Sequence, residues 1–129
     1  MISLEAPRPA ADPARKAEVL SKATVRAAEH LALPSTVLAR VLGLSEASVS
    51  RMKNRQFDLP PGSKAYELAQ LLVRLFRGLD AITGGDDAAS QSWMRGPNLA
   101  LRGRPVDLIQ TIPGLTATLA YVDRSRARI

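Results

Sequence analysis

The sequence predicts an all-α fold, and three observations carry that prediction. Apolar residues recur at spacings of three and four along most of the chain. Helix starts and stops punctuate it, among them Asp12-Pro13, Gly43, Ser45, Gly84-Gly85 and Gly96-Pro97. β-branched residues are sparse, and no hairpin turn lies between alternating runs.

Each element has its own local reason. Residues 1–12 follow no period and read as a mobile N-terminal arm. Asp12 is placed to cap a helix whose first position is Pro13, where a missing N–H costs nothing. That helix runs to about His30, with Ala17, Leu20, Thr24, Ala27 and Leu31 as its inward stripe. Pro34 ends the stretch, because the residue before a proline avoids the helical region. A second helix fits Thr36 to Leu42, with Ser35 as N-cap and Gly43 as its close. Ser45 caps a third through about Lys53. The run Leu59-Pro60-Pro61-Gly62-Ser63 is the strongest break, and its paired prolines make it stiff. The expected organisation is therefore residues 13–59 followed by residues 60–129.

The second part opens with a long helix from Lys64 to about Ile82. Leu68, Leu71, Leu72, Leu75, Phe76 and Leu79 lie on one face of it. Gly84-Gly85 stops it, and Asp86 or Asp87 caps a short helix carrying Trp93 and Met94. Pro105 starts another short helix that runs to about Gln110. Pro113-Gly114 reads as a further break, followed by a last helix from Leu115 to about Arg124 that presents Leu115, Leu119 and Val122.

Composition narrows the function. The 129 residues carry 18 basic and 12 acidic side chains, a net charge of +6, which points to an acidic partner, nucleic acid first. There is no Cys, which excludes disulfides, thiolate metal sites and a Cys nucleophile. The one His, His30, excludes a multi-His metal site; its place at a helix end suits the dipole there. No nucleophile, base and orienting group assemble on paper, so neither catalysis nor a cofactor is expected. Apolar runs are too short for a membrane span and the start lacks a signal peptide's apolar core, so a cytoplasmic protein is expected.

The sharpest motif runs from Thr36 to Lys53. Ala39 is small enough to let a second helix cross closely, and Gly43 supplies a turn with positive φ. Leu38, Leu42, Leu44, Val49 and Met52 bury the inner faces. This is a helix-turn-helix at the expected spacing. Its recognition helix, Ser45 to Asn54, presents Ser45, Glu46, Ala47, Ser50, Arg51 and Asn54 outward. Arg51 is suited to a bidentate contact with guanine and Asn54 to adenine. Ser35, Thr36, Lys53 and Arg55 are placed for phosphates of operator DNA. One such module is small, so a homodimer on a two-fold operator is expected. The bland alternative is a helical hairpin that only packs a core.

The second part holds Trp93, Pro97-Asn98, Leu101, Gly103, Pro105, Leu108-Ile109, Thr111 and Gly114 in fixed order. That series resembles the C-terminal domain of the Xre/MbcA/ParS antitoxins, and an Xre-like helix-turn-helix in front of it is the family arrangement. The resemblance spans about Lys64 to Val122. It implies a type II toxin–antitoxin antitoxin that represses its own operon. It also implies a RES-domain toxin as partner, one that consumes NAD and whose active site the antitoxin occludes. Within this segment Trp93, Pro97, Leu101, Gly103, Pro105, Leu108 and Gly114 read as turn and core residues that shape the lobe. Asn98, Arg102 and Arg104 are candidate toxin contacts. So are Arg124, Arg126 and Arg128, because a pocket that holds a diphosphate accepts guanidinium groups; an alternating Arg tail is otherwise a solvated end. A plain repressor, whose second half only dimerises or senses an effector, is the competing function.

Overall fold

The computed structural model describes residues 12–128. The arm expected over residues 1–12 thus falls outside the described residues, apart from Asp12, as does Ile129. Seven helices follow in order: α1 Pro13–His30, α2 Ser35–Leu42, α3 Glu46–Lys53, α4 Lys64–Thr83, α5 Asp87–Arg95, α6 Pro105–Leu108 and α7 Ile112–Arg126. Among the described residues the only β-type pairing is one antiparallel bridge, between Asn98 and Gly103. The all-α class read from the sequence is the class observed. No helix among the described residues is long and apolar enough to cross a membrane.

The central element is α4. It packs against α1 and α2 with one part of its surface and against α5 and α7 with the rest. Its leucines at 68, 72, 75 and 79 are all buried, as the periodicity required. One cluster of buried residues results, running from Ala28 and Leu38 through Leu72 to Met94, Leu115 and Val122. The two parts of the chain therefore share a core. The Leu59–Ser63 link turns the chain without parting that core. Leu59 is fully buried, and its N–H donates to Ser21 Oγ at 2.9 Å while Ser21 donates to the Ala17 carbonyl at 2.6 Å.

Several helix ends match local expectation. Asp12 accepts from the Ala14 N–H at 3.0 Å and Asp86 from Ala89 at 3.2 Å. Ser63, which the sequence offers only as the end of a break, also caps α4 by accepting from Tyr66 at 3.1 Å. Asp86 is thus the cap of α5 and Asp87 its first residue. His30 closes α1 and binds α5: its Nδ1 lies 2.8 Å from Asp87 Oδ2, and its ring stacks on Phe76 at 5.0 Å.

Three ends differ from expectation. Ser35 is the first residue of α2 rather than its N-cap; Pro34 holds that position without a side-chain bond. The Ser35 hydroxyl instead accepts from Lys53 Nζ at 2.5 Å, which ties the start of α2 to the end of α3. The short helix α6 ends at Leu108, before Gln110. Pro113-Gly114 does not break the chain: α7 begins at Ile112, with Thr111 as N-cap accepting from the Gly114 N–H at 3.2 Å. A proline in the first helical turn lacks an N–H that had no partner there, so the helix tolerates it. Gly114 is demanded by contact, because a Cβ there would collide with the Leu108 carbonyl oxygen. Gly78 acts the same way where α4 crosses α7; a Cβ would sit 2.8 Å from Val122 Cγ1.

Candidate functional site

The first surface is built by α2 and α3. Gly43 takes φ +67° at the end of α2, and the Leu44 N–H bonds the Ala39 carbonyl at 2.9 Å. That closes α2 within one residue. Ser45 then caps α3, its Oγ accepting from the Ser48 N–H at 3.1 Å. Ala39, Val49 and Met52 are buried between the two helices, and Leu44 is half-buried. The helix-turn-helix geometry follows from these positions.

The opposite face of α3 is open. Ser45, Glu46, Ala47, Ser50, Arg51 and Asn54 are all exposed on it, as are Thr36, Lys53 and Arg55 around it; Ser35 is half-buried beneath Lys53. The Arg51 guanidinium does not swing freely. It donates to Ser48 Oγ at 3.2 Å and lies 6.0 Å over the Phe57 ring. Ser48 and Phe57 escaped the sequence reading: Ser48 is half-buried on α3, and Phe57 lies four residues beyond its end, in a segment without a period. Arg55 carries φ +60° just after α3, in the left-handed region that glycine occupies more readily.

The second surface is a loop between α5 and α6. Asn98 and Gly103 exchange backbone bonds at 2.9 and 3.3 Å, and the Leu101 N–H donates to Asn98 Oδ1 at 3.0 Å. Arg102 adopts φ +60°. The loop is closed by its own backbone and holds Leu99 out, 95% exposed. Gly103 packs on Leu108, and Pro105 is buried. Trp93 is half-buried and stacks on Tyr121 of α7 at 6.2 Å, while Pro97 is exposed.

The candidate contacts divide between this loop and the end of α7. Asn98 and Arg102 share the loop. Arg104, just after it, is held by Asp107 through Nε at 2.9 Å and Nη2 at 3.3 Å. Arg124 and Arg126 stand on the last turn of α7, with Arg128 just beyond it. All three are exposed, so the tail is largely a helix end, and Arg126 lies beside a groove between α1 and α4. Asp123 fixes that end by accepting from Arg74 of α4 at 2.6 Å. Leu99 was missed in the sequence, where a lone Leu in a Gly/Pro/Asn run carries no period.

Glu18 and Lys64 show clear pKa shifts, and neither lies on these surfaces. A hydrogen bond from Lys22 holds the Glu18 carboxyl below its usual range, and one to Glu67 raises Lys64.

Family models match both surfaces. Residues 10–74 match the antitoxin Xre-like helix-turn-helix domain. Residues 78–128 match the antitoxin Xre/MbcA/ParS C-terminal toxin-binding domain. No curated protein matches the chain. The helix-turn-helix match covers half of the chain, the toxin-binding match covers the loop and α7, and the two meet within α4, the helix both lobes share. This chain belongs to the Xre-like antitoxins, with a helix-turn-helix DNA-binding domain and a C-terminal toxin-binding domain.

Proposed function

We propose that this antitoxin neutralises a RES-domain, NAD-consuming toxin by occluding its active site and represses its own operon as a dimer. One observation carries the reading: a toxin-binding domain and a helix-turn-helix are packed on one core, so toxin occupancy and DNA binding are physically linked. On the DNA side, α3 enters the major groove. Ser45, Glu46, Ala47, Ser50, Arg51 and Asn54 face bases, with Arg51 on guanine and Asn54 on adenine. Ser35, Thr36, Lys53 and Arg55 meet phosphates. On the toxin side, Leu99 is the apolar anchor that the loop presents, flanked by Arg102. Asn98 acts by shaping the loop, since its carbonyl oxygen is already taken. Arg124 and Arg128 supply guanidinium groups to a diphosphate pocket, while Arg126 lines the groove between α1 and α4 instead. Arg104 reaches toxin only by leaving Asp107.

The test is co-expression of the full chain with its cognate toxin while cellular NAD is measured. Wild type keeps NAD and growth intact. Leu99→Ser weakens the purified complex by about tenfold or more, as for a central apolar anchor, with thermal stability unchanged. Arg124→Glu with Arg128→Glu lets NAD fall. If the toxin lacks NAD-consuming activity, the RES assignment fails. If no toxin copurifies, the chain acts as an autonomous repressor. On DNA, Arg51→Ala lowers operator affinity by about tenfold or more while nonspecific binding persists.

A further inference from the structure

The molecule has a third surface that neither family domain explains. Between α1 and α4 runs a groove of about 660 Å³. Its floor is aliphatic, formed by Val19, Leu20, Ala23 and Val73. Val19 is 59% exposed there, a large apolar residue in the middle of a charged helix. The charged side chains that line it are Arg15, Lys16, Arg74, Arg77 and Arg126, with no carboxylate among the lining residues. Arg74 meets Asp123. Among the described residues, the other four cations have no carboxylate within ion-pair distance.

Four cations from three helices, none ion-paired among the described residues, thus converge on exposed aliphatic surface. Their like charges repel one another there, and Val19 leaves apolar surface open to solvent. A ligand that ended both costs would need apolar groups for the floor and carboxylates for the walls. A bare phosphate chain would leave Val19 in water, and a purely apolar segment would strip solvent from the arginines. Along α1 the groove runs from Arg15 to Ala23, about 12 Å or a little over two helical turns. A second depression shares Val19, Ala23, Val73 and Arg77 and continues past Arg26 and Glu29 toward the end of α1, where it meets Lys53 and Arg55 of the DNA face. The whole length suits a helix lying in a groove.

We propose that the α1–α4 groove is a docking site for an acidic, amphipathic helical segment of a partner protein. Its apolar face covers Val19, Ala23 and Val73, and its carboxylates meet Arg15, Lys16, Arg77 and Arg126. The proposal does not rest on the identity of the toxin, because α1 and most of the groove belong to the helix-turn-helix part.

Three labelled probes test it on the full-length chain by fluorescence anisotropy. The first is a peptide of about 15 residues with Leu at i, i+4 and i+7 and flanking Glu. The second is the same composition scrambled to break the stripe. The third is single-stranded oligothymidine of similar length. The striped peptide is expected to bind about tenfold more tightly than the scrambled one, since only it covers the floor. The double variant Arg77→Glu/Arg126→Glu should weaken it by about tenfold, and Val19→Gln by about threefold, with helicity unchanged because all three sites are exposed. Equal binding of the two peptides, or preference for oligothymidine, would overturn the proposal in favour of a nonspecific anion surface. A shift of Val19→Gln from dimer to monomer in sedimentation would overturn it too, since a second copy of the chain would then be the occupant.

Discussion

Gly114 shows how far one residue can be constrained by its neighbours. It has an ordinary helical setting, yet a methyl group there would strike the Leu108 carbonyl, which is backbone and cannot turn aside. Gly114→Ala is therefore expected to destabilise the protein by about 2 kcal/mol or more in a denaturant titration, despite Ala's better helix propensity. Arg55 is the opposite case. Its φ of +60° disfavours any side chain, so Arg55→Gly should raise stability by about 1 kcal/mol. The same variant should lower DNA affinity and reduce its salt dependence by about one phosphate contact. Arg51 depends on what supports it. Phe57→Ala removes the ring beneath the guanidinium and should weaken operator binding in the direction of Arg51→Ala, by about threefold.

At the level of elements, caps decide where helices start, and turns decide what they present. Ser45 satisfies the Ser48 N–H at the start of α3, the helix proposed to read DNA, so Ser45→Ala should cost about 1 kcal/mol of stability and also loosen that helix. Asp12, Ser45 and Gly43 were legible from residue type alone, because a cap or a left-handed turn is a property of a few adjacent residues. Pro113-Gly114 was misread for the same reason. The pair signals a break in isolation, yet both residues fit within the first turn of α7. Ser35 was misread because its hydroxyl serves Lys53, eighteen positions away. The exposed Glu18–Lys22 pair in α1 is an acid-sensitive contact. Its carboxyl is held below the usual range, so whatever it contributes is present at neutral pH and lost as pH falls through that lowered value. Glu18→Gln should flatten that part of an acid titration only slightly, since the pair is exposed.

Over the whole molecule, α4 joins what composition and punctuation would divide. Its buried leucines serve α1 and α2 as well as α5 and α7. Thermal unfolding followed by circular dichroism and by Trp93 fluorescence should therefore give coincident single transitions. Two separated transitions would mean that the parts unfold independently despite the shared cluster. If the chain acts as the proposed dimer, the shared core gives toxin bound at the C-terminal domain a direct mechanical route to the spacing of the two reading helices.

The sequence by itself determined the all-α class, the helix order, the helix-turn-helix and the family resemblance. Those properties reside in periodicity, caps and short motifs, which need only neighbours along the chain. Tertiary structure decided the rest. It brought Phe57 under Arg51 and set Gly78 against Val122. It closed a loop that pushes Leu99 into solvent and gathered Arg15, Arg77 and Arg126 from three helices around Val19. The physical reasons are two. Gly78 meets Val122, and Arg15, Arg77 and Arg126 meet one another, across long stretches of sequence through the way helices cross on α4, which no local pattern encodes. Phe57 reaches Arg51, and Asn98 closes on Gly103, through irregular turns outside the helices, which carry no period.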